Sequence, residues 1–187
     1  MILVPELDDP AKKIDAALGA LVFYLGLTRL IEGGVISPES FLFPGSTTPA
    51  EGVTVNPMRF TREDLHTHAY NTMILMVGST TIVVDDALDE RFGNQNRESD
   101  SEIGHIHAVI HQVRNCFAHK PLNPVWQIYP KYQKTYRVRL PNRNVHDLDF
   151  RDLNSKPFEL GDIGGLNILV AICMSAYDAS KNNNEPI

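Results

Sequence analysis

Between Asp100 and His119 the apolar residues fall at a spacing that only a helix can use. Ile103, Ile106, Val109, Ile110, Val113 and Phe117 fill one broad arc when successive residues are turned by roughly 100°, and such an arc must face a core. A second ladder, His107, His111, Asn115 and His119, runs at i, i+4 along another face. Ser99 or Ser101 supplies the cap, and Lys120-Pro121 stops the helix near His119. A chain carrying this element is committed to pack it among other helices.

Three further helices are predicted. Asp9 is a good N-cap and Pro10 a good first residue, and Ile14, Leu18, Leu21, Val22, Leu25 and Leu30 then recur at helical spacing until Gly33-Gly34, giving a helix over about 10–32. Thr61-Arg62-Glu63-Asp64 starts a second helix with acids in its first turn, and the pattern closes at Gly93. Its centre, Thr80 to Val84, is β-branched, and only Gly78 reads as a turn signal there, so helix is predicted throughout. A fourth helix begins near Asp162 to Gly165, carries Leu166, Ile168, Leu169, Ala171, Ile172 and Ala176, and runs to about Lys181. Asn94 to Arg97 is polar and reads as a mobile linker.

Two stretches interrupt this pattern. Residues 35–60 hold four prolines and two glycines, a loop of unusual length that covers something or packs as a lid; Phe41, Leu42 and Phe43 argue that it docks. Residues 124–160 alternate instead. Tyr136, Val138 and Leu140 alternate with Arg137 and Arg139, Pro141 to Asn144 is a turn, and Leu148 and Phe150 alternate with Asp149, which is a β-hairpin.

With 43% hydrophobic and 21% charged residues, the 187-residue chain is predicted to form one globular domain rather than a disordered segment. No signal peptide is read at Met1 to Pro5, and the apolar run Ala16 to Leu27 is read as too short to span a bilayer, so a cytoplasmic protein is expected. Cys116 and Cys173 have neither metal-ligand nor disulfide-framework spacing and read as buried thiols. The net charge of -6 is uneven: residues 114–156 carry nine bases against three acids, +6, and the remainder carries -12. A basic segment of that kind suits a nucleic-acid substrate, or is simply a solvated arginine-rich hairpin.

The candidate chemistry lies at the end of the third helix, in Arg114-Asn115-Cys116-Phe117-Ala118-His119. Arginine brings a permanent charge whose planar donors fit phosphate, and histidine takes and gives a proton near neutral pH. Together they are a minimal kit for cleaving a phosphodiester without a metal. The plainer alternative pairs Arg114 with an acid at a helix border and makes His119 a C-terminal cap. On an ideal helix the two lie roughly 140° apart, so either the helix loosens at Lys120-Pro121 or a second copy completes a composite cleft, which predicts a two-fold homodimer. His107 and His111, with His105 near, have a metal-ligating spacing. No carboxylate or cysteine completes the set nearby in sequence, so no metal and no other cofactor is predicted, and the histidines read as a polar stripe at a dimer interface. His66 and His68 could approach the same cleft. Trp126, Tyr129, Tyr132 and Tyr136 either stack bases beside the arginines or pack the hairpin onto the helices.

The R-N-x-x-A-H run resembles the R-x4-6-H signature of the HEPN superfamily, including the polar residue after the arginine. The resemblance is local, six residues plus the surrounding helical pattern over about 10–120 and 162–181. It implies a mainly α, HEPN-like bundle of about four long helices, a single domain over 1–187 with the 35–60 loop and the 124–160 insertion, and a homodimer. It also implies a metal-independent endoribonuclease of toxin or defence type. Arg114 and His119 would be catalytic and Asn115 auxiliary; beside them, His107, His111 and Lys120 are the candidate substrate contacts. RNA or nucleotide, and a nucleotidyltransferase-like antitoxin, are the implied partners; DNA and a membrane are not. Other members bind nucleotides, RNA or protein partners without catalysis, which is the alternative reading.

Overall fold

The computed structural model describes residues 8–41, 46–48, 53–55 and 60–181. The chain is mainly helical. Its elements are α1 (Pro10–Glu32), β1 (Ser46–Thr48), β2 (Val53–Val55), α2 (Arg62–Phe92), α3 (Glu102–Phe117), β3 (Thr135–Arg139), β4 (Val145–Asp149) and α4 (Leu166–Lys181). The four long helices and the hairpin between α3 and α4 fall where the sequence puts them. The chain divides into two compact units, one of residues 1–21 and 75–187, the other of residues 22–74.

In the smaller unit, Thr61 caps α2. Its hydroxyl accepts the Asp64 amide at 3.1 Å, and the Asp64 carboxylate accepts the Thr61 amide at 2.9 Å. This reciprocal cap is why the helix starts there. β1 and β2 pair antiparallel, with Thr47 opposite Thr54, inside the stretch read as a plain loop. Leu42 and Phe43, the residues expected to dock it, lie outside the described residues.

In the larger unit, the Asp9 side chain accepts the Ala11 amide at 2.9 Å and starts α1. Ile14, Leu18 and Leu21 are buried, Thr80 donates its hydroxyl to the Ala17 carbonyl, and Lys13 pairs with Glu90, so this end of α1 lies along α2. Across its 23 residues α1 is nonetheless long and apolar enough, by length and composition, to cross a membrane, contrary to the shorter run read from the sequence. Val22, Phe23 and Leu30 on it are exposed.

α2 runs unbroken through its β-branched centre and through Gly78. A Cβ at Gly78 would come 2.6 Å from the buried Phe117 ring, so the glycine admits α3 rather than ending the helix. Ser101 caps α3 by accepting the Gly104 amide at 3.0 Å. Asn94–Glu98, expected to be mobile, forms a 3-10 turn; Arg97 is buried there because α2 and α3 surround its guanidinium with partners. α3 is covered nearly all round. Ile106, Val109, Ile110, Val113 and Phe117 are buried as the spacing predicts, and so are His107, Ala108 and Gln112.

β3 and β4 pair antiparallel with Tyr136 opposite Leu148 and Val138 opposite His146. Tyr136, Val138, Leu148 and Phe150 point inward, as the alternation requires. Trp126 is fully buried against Phe150 and Phe158 and donates its indole N–H to Asp162 at 2.8 Å. Trp126, Tyr132 and Tyr136 therefore pack the insertion, and of the four aromatic candidates only Tyr129 is exposed. α4 closes this core with Leu169, Ile172, Cys173 and Ala176. Both cysteines are buried free thiols; burial pushes the Cys173 thiol up to about 12 and the Cys116 thiol up as well.

Candidate functional site

The contacts between α2 and α3 have a simple order. Gly78 meets Phe117, Asp85 meets His111, and Asp89 meets His107, so the helices run antiparallel. Asp85 and Asp89 are one turn apart on α2; His107 and His111 are one turn apart on α3. Two i, i+4 pairs therefore face each other inside the larger unit.

His107, expected at a substrate or dimer face, is fully buried. Its Nε2 lies 3.2 Å from Asp89 Oδ1 and 3.5 Å from Asp85 Oδ1, yet neither ring nitrogen makes a hydrogen bond. Asp85 is 2% exposed and its Oδ1 is also without a hydrogen bond. Its Oδ2 lies 3.0 Å from His111 Nδ1 and 3.8 Å from Arg114 Nε. Arg97 completes the cluster, bonding Asp89 with one terminal nitrogen and lying 2.6 Å from His111 Nδ1 with the other. The same Arg97 nitrogen lies 3.0 Å from His111 Nε2, so the ring can accept from Arg97 there while its Nδ1–H donates to Asp85. Burial alone would raise the Asp85 pKa, but the imidazoles of His107 and His111 and the Arg97 charge outweigh it and hold the carboxyl well below the usual carboxylate range. The cluster keeps one deeply buried carboxylate ionised.

At the far end of α3 the motif residues reach the surface. The Arg114 side chain is half-exposed, with one edge toward Asp85 and a terminal nitrogen donating to Asn115 Oδ1 at 3.4 Å. Asn115 thus steadies Arg114 rather than His119. α3 ends at Phe117 with Ala118 as its cap, and His119 and Lys120 follow, both exposed. Among the described residues His119 makes no hydrogen bond or ion pair, with Arg114 or otherwise. The polar ladder is thus split, His107 and His111 turned inward, Asn115 and His119 left at the helix end.

The basic segment is less free than its charge suggests. Lys131 pairs with Glu98, Lys134 with Asp100, Arg139 with Glu102, Arg137 with Asp147 and Arg151 with Asp149. Three of these acids lie outside the segment, just before or at the start of α3. Lys120, Arg143 and Lys156 remain without an ion pair among the described residues. Beside the helix end, Val125 donates its amide to the Cys116 carbonyl at 3.3 Å. The segment so pinned lines a cleft of about 430 Å³ with Trp126, Gln127, Tyr129, Asn154 and Ser155.

Asp85, Asp89 and Arg97 were missed from the sequence. Asp85 and Asp89 stand four residues apart but share their stretch with Asp86, Glu90 and Arg91, so nothing local says which of these charges turns inward. His66 and His68 lie in the smaller unit, where His68 stacks edge-on against Phe60. Searches against protein-family models, curated proteins and solved structures return no match.

Proposed function

We propose that this chain is a metal-independent endoribonuclease of HEPN type that works as a homodimer, with a cleft made from the exposed ends of two α3 helices. The observation that carries the reading is the anchoring of Arg114. One edge of its guanidinium faces an ionised, buried Asp85 and an adjacent amide, while the rest faces solvent two turns or less from an exposed imidazole.

In the proposed reaction His119 of one protomer takes the proton from a ribose 2′-OH, and the oxygen attacks the neighbouring phosphorus. Arg114 stabilises the charge that builds on the phosphoryl oxygens. As the bond from phosphorus to the 5′-oxygen breaks, the second protomer's His119 supplies its proton, leaving a 2′,3′-cyclic phosphate and a free 5′-hydroxyl. Lys120 contacts the adjoining phosphate. The exposed ring of Tyr129 beside the cleft offers a face for an unpaired base. An antitoxin of nucleotidyltransferase type is the kind of partner that would hold such an enzyme in check.

The test is cleavage of a mixed RNA pool, with EDTA and no added metal, by wild type, Arg114→Ala and His119→Ala. Cleavage by wild type alone supports the proposal; equal cleavage by all three sinks it. The pairing of most arginines and lysines in the insertion favours a second reading, a non-catalytic dimer that binds nucleotide, RNA or protein. RNA binding without cleavage, unaffected by His119→Ala, would decide for it.

A further inference from the structure

The cluster between α2 and α3 has more in it than Arg114 requires. Asp85 Oδ2 serves His111 and Arg114, but Asp85 Oδ1 faces the other way, into a space shared with Asp89 Oδ1 and His107 Nε2. All three atoms lie within 4.8 Å of one another. Two of them, Asp85 Oδ1 and His107 Nε2, are buried and without a hydrogen bond although they are 3.5 Å apart. Leaving a buried donor or acceptor unmet is costly, and an imidazole that is fully buried with neither nitrogen bonded calls for an explanation.

The distances supply one. Two donors each about 2.1 Å from a tetrahedral ion stand about 3.4 Å apart. His107 Nε2 stands 3.2 Å from one carboxylate oxygen and 3.5 Å from the other. One imidazole and two carboxylates, carried on facing helices one turn apart, are a donor set for a borderline divalent ion. Arg97 bonds Asp89 Oδ1 as well, but a carboxylate oxygen has two lone pairs, so one remains for an ion. The charges also allow it, since two carboxylates face one buried guanidinium, with Arg114 at the solvent edge. His111, held on Asp85 Oδ2, fixes the orientation of that carboxylate from outside.

We propose that Asp85, Asp89 and His107 bind a divalent transition-metal ion, zinc in the first instance, that fastens α2 to α3. The ion lies inside the helices and does not touch substrate. The site goes beyond the nuclease reading and stands without it, because its readouts are metal content and stability, not cleavage.

The experiment uses the full chain, expressed in zinc-supplemented medium and dialysed against metal-free buffer. Elemental analysis should find about one zinc per chain in wild type, and a loss of most of it in Asp89→Asn and His107→Gln. Because His107→Gln changes a fully buried residue and can unfold the chain, Asp89→Asn, whose side chain is 34% exposed, is the deciding variant. Wild type stripped by a strong chelator should gain about 5 °C or more in melting temperature on saturation with Zn2+, and should develop the visible absorption of tetrahedral cobalt with Co2+. Wild type with no bound metal and no thermal response to Zn2+, Co2+ or Mn2+ overturns the proposal. So does zinc retained equally by Asp89→Asn, which would place the ion elsewhere.

Discussion

Replacing Gly78 by alanine adds a single methyl at the point where α2 meets α3. The new Cβ would stand 2.6 Å from Phe117 Cδ1, 2.8 Å from Cγ and 3.1 Å from Cβ. Phe117 is 3% exposed and rests edge-on against Phe158 at 5.2 Å, so its ring has little room to swing away. Two effects oppose each other. Alanine is favoured over glycine inside a helix by about 1 kcal/mol, whereas overpacking a well-filled core costs about 1–3 kcal/mol. The packing effect should win here because the obstructing atoms begin at the Phe117 Cβ, which can move only with its backbone. With the packing cost in the upper part of its range, the net loss is up to about 2 kcal/mol, a fall of up to about 8 °C in melting temperature for a chain of this size. Gly26→Ala on α1 is the control. Nothing lies within 4 Å of its added Cβ, so only the helical preference acts, and a rise of about 2–4 °C is expected. Thermal unfolding of both proteins by circular dichroism makes the comparison. If Gly78→Ala is as stable as Gly26→Ala, the reasoning from the α2–α3 crossing is wrong. A Gly78→Ala, Phe117→Leu double variant should lose less than the two changes added together.

Other outcomes follow from the same geometry. Asp85→Asn should cost about 3 kcal/mol near pH 7, because His111 and Arg114 lose their charged partner and the nearby His107 and Arg97 lose the field of a buried carboxylate. Since the folded carboxyl is held below its ordinary value, its contribution is fully present above about pH 4 and is lost as pH falls through the folded value; the gap between wild type and variant in urea unfolding should therefore narrow below that point. A constant gap down to pH 2 would refute it. Asp162→Ala should cost about 2 kcal/mol by leaving the Trp126 indole N–H unmet in the core, and urea unfolding followed by that single tryptophan measures it directly. Under the proposed nuclease reading, Lys120→Ala should weaken RNA binding across sequences and reduce the slope of log affinity against log salt by about one. An unchanged slope would remove Lys120 from the phosphate contacts.

Much of the architecture is local in origin. Asp9 with Pro10, the Thr61/Asp64 box, Ser101 and the alternation of Tyr136, Val138 and Leu140 act over three or four residues, so the sequence by itself determined where the helices start and where the hairpin lies. It also marked Arg114 and Asn115 as neighbours and ran the helix to about His119, two residues past Phe117, where α3 ends. Gly78 was ambiguous in the sequence because a glycine that breaks a helix and one that admits a neighbouring ring look alike until the ring is placed. The same holds for Asn94 to Arg97, whose polar residues read as solvated although Arg97 is buried. The long-range facts belong to the tertiary structure alone. Only the antiparallel register of α2 on α3 sets Asp85 and Asp89 against His107 and His111, and so turns an expected surface stripe of histidines into a buried charged cluster beneath Arg114. The reason is physical: helical spacing says which residues share a face, and only packing says what that face meets.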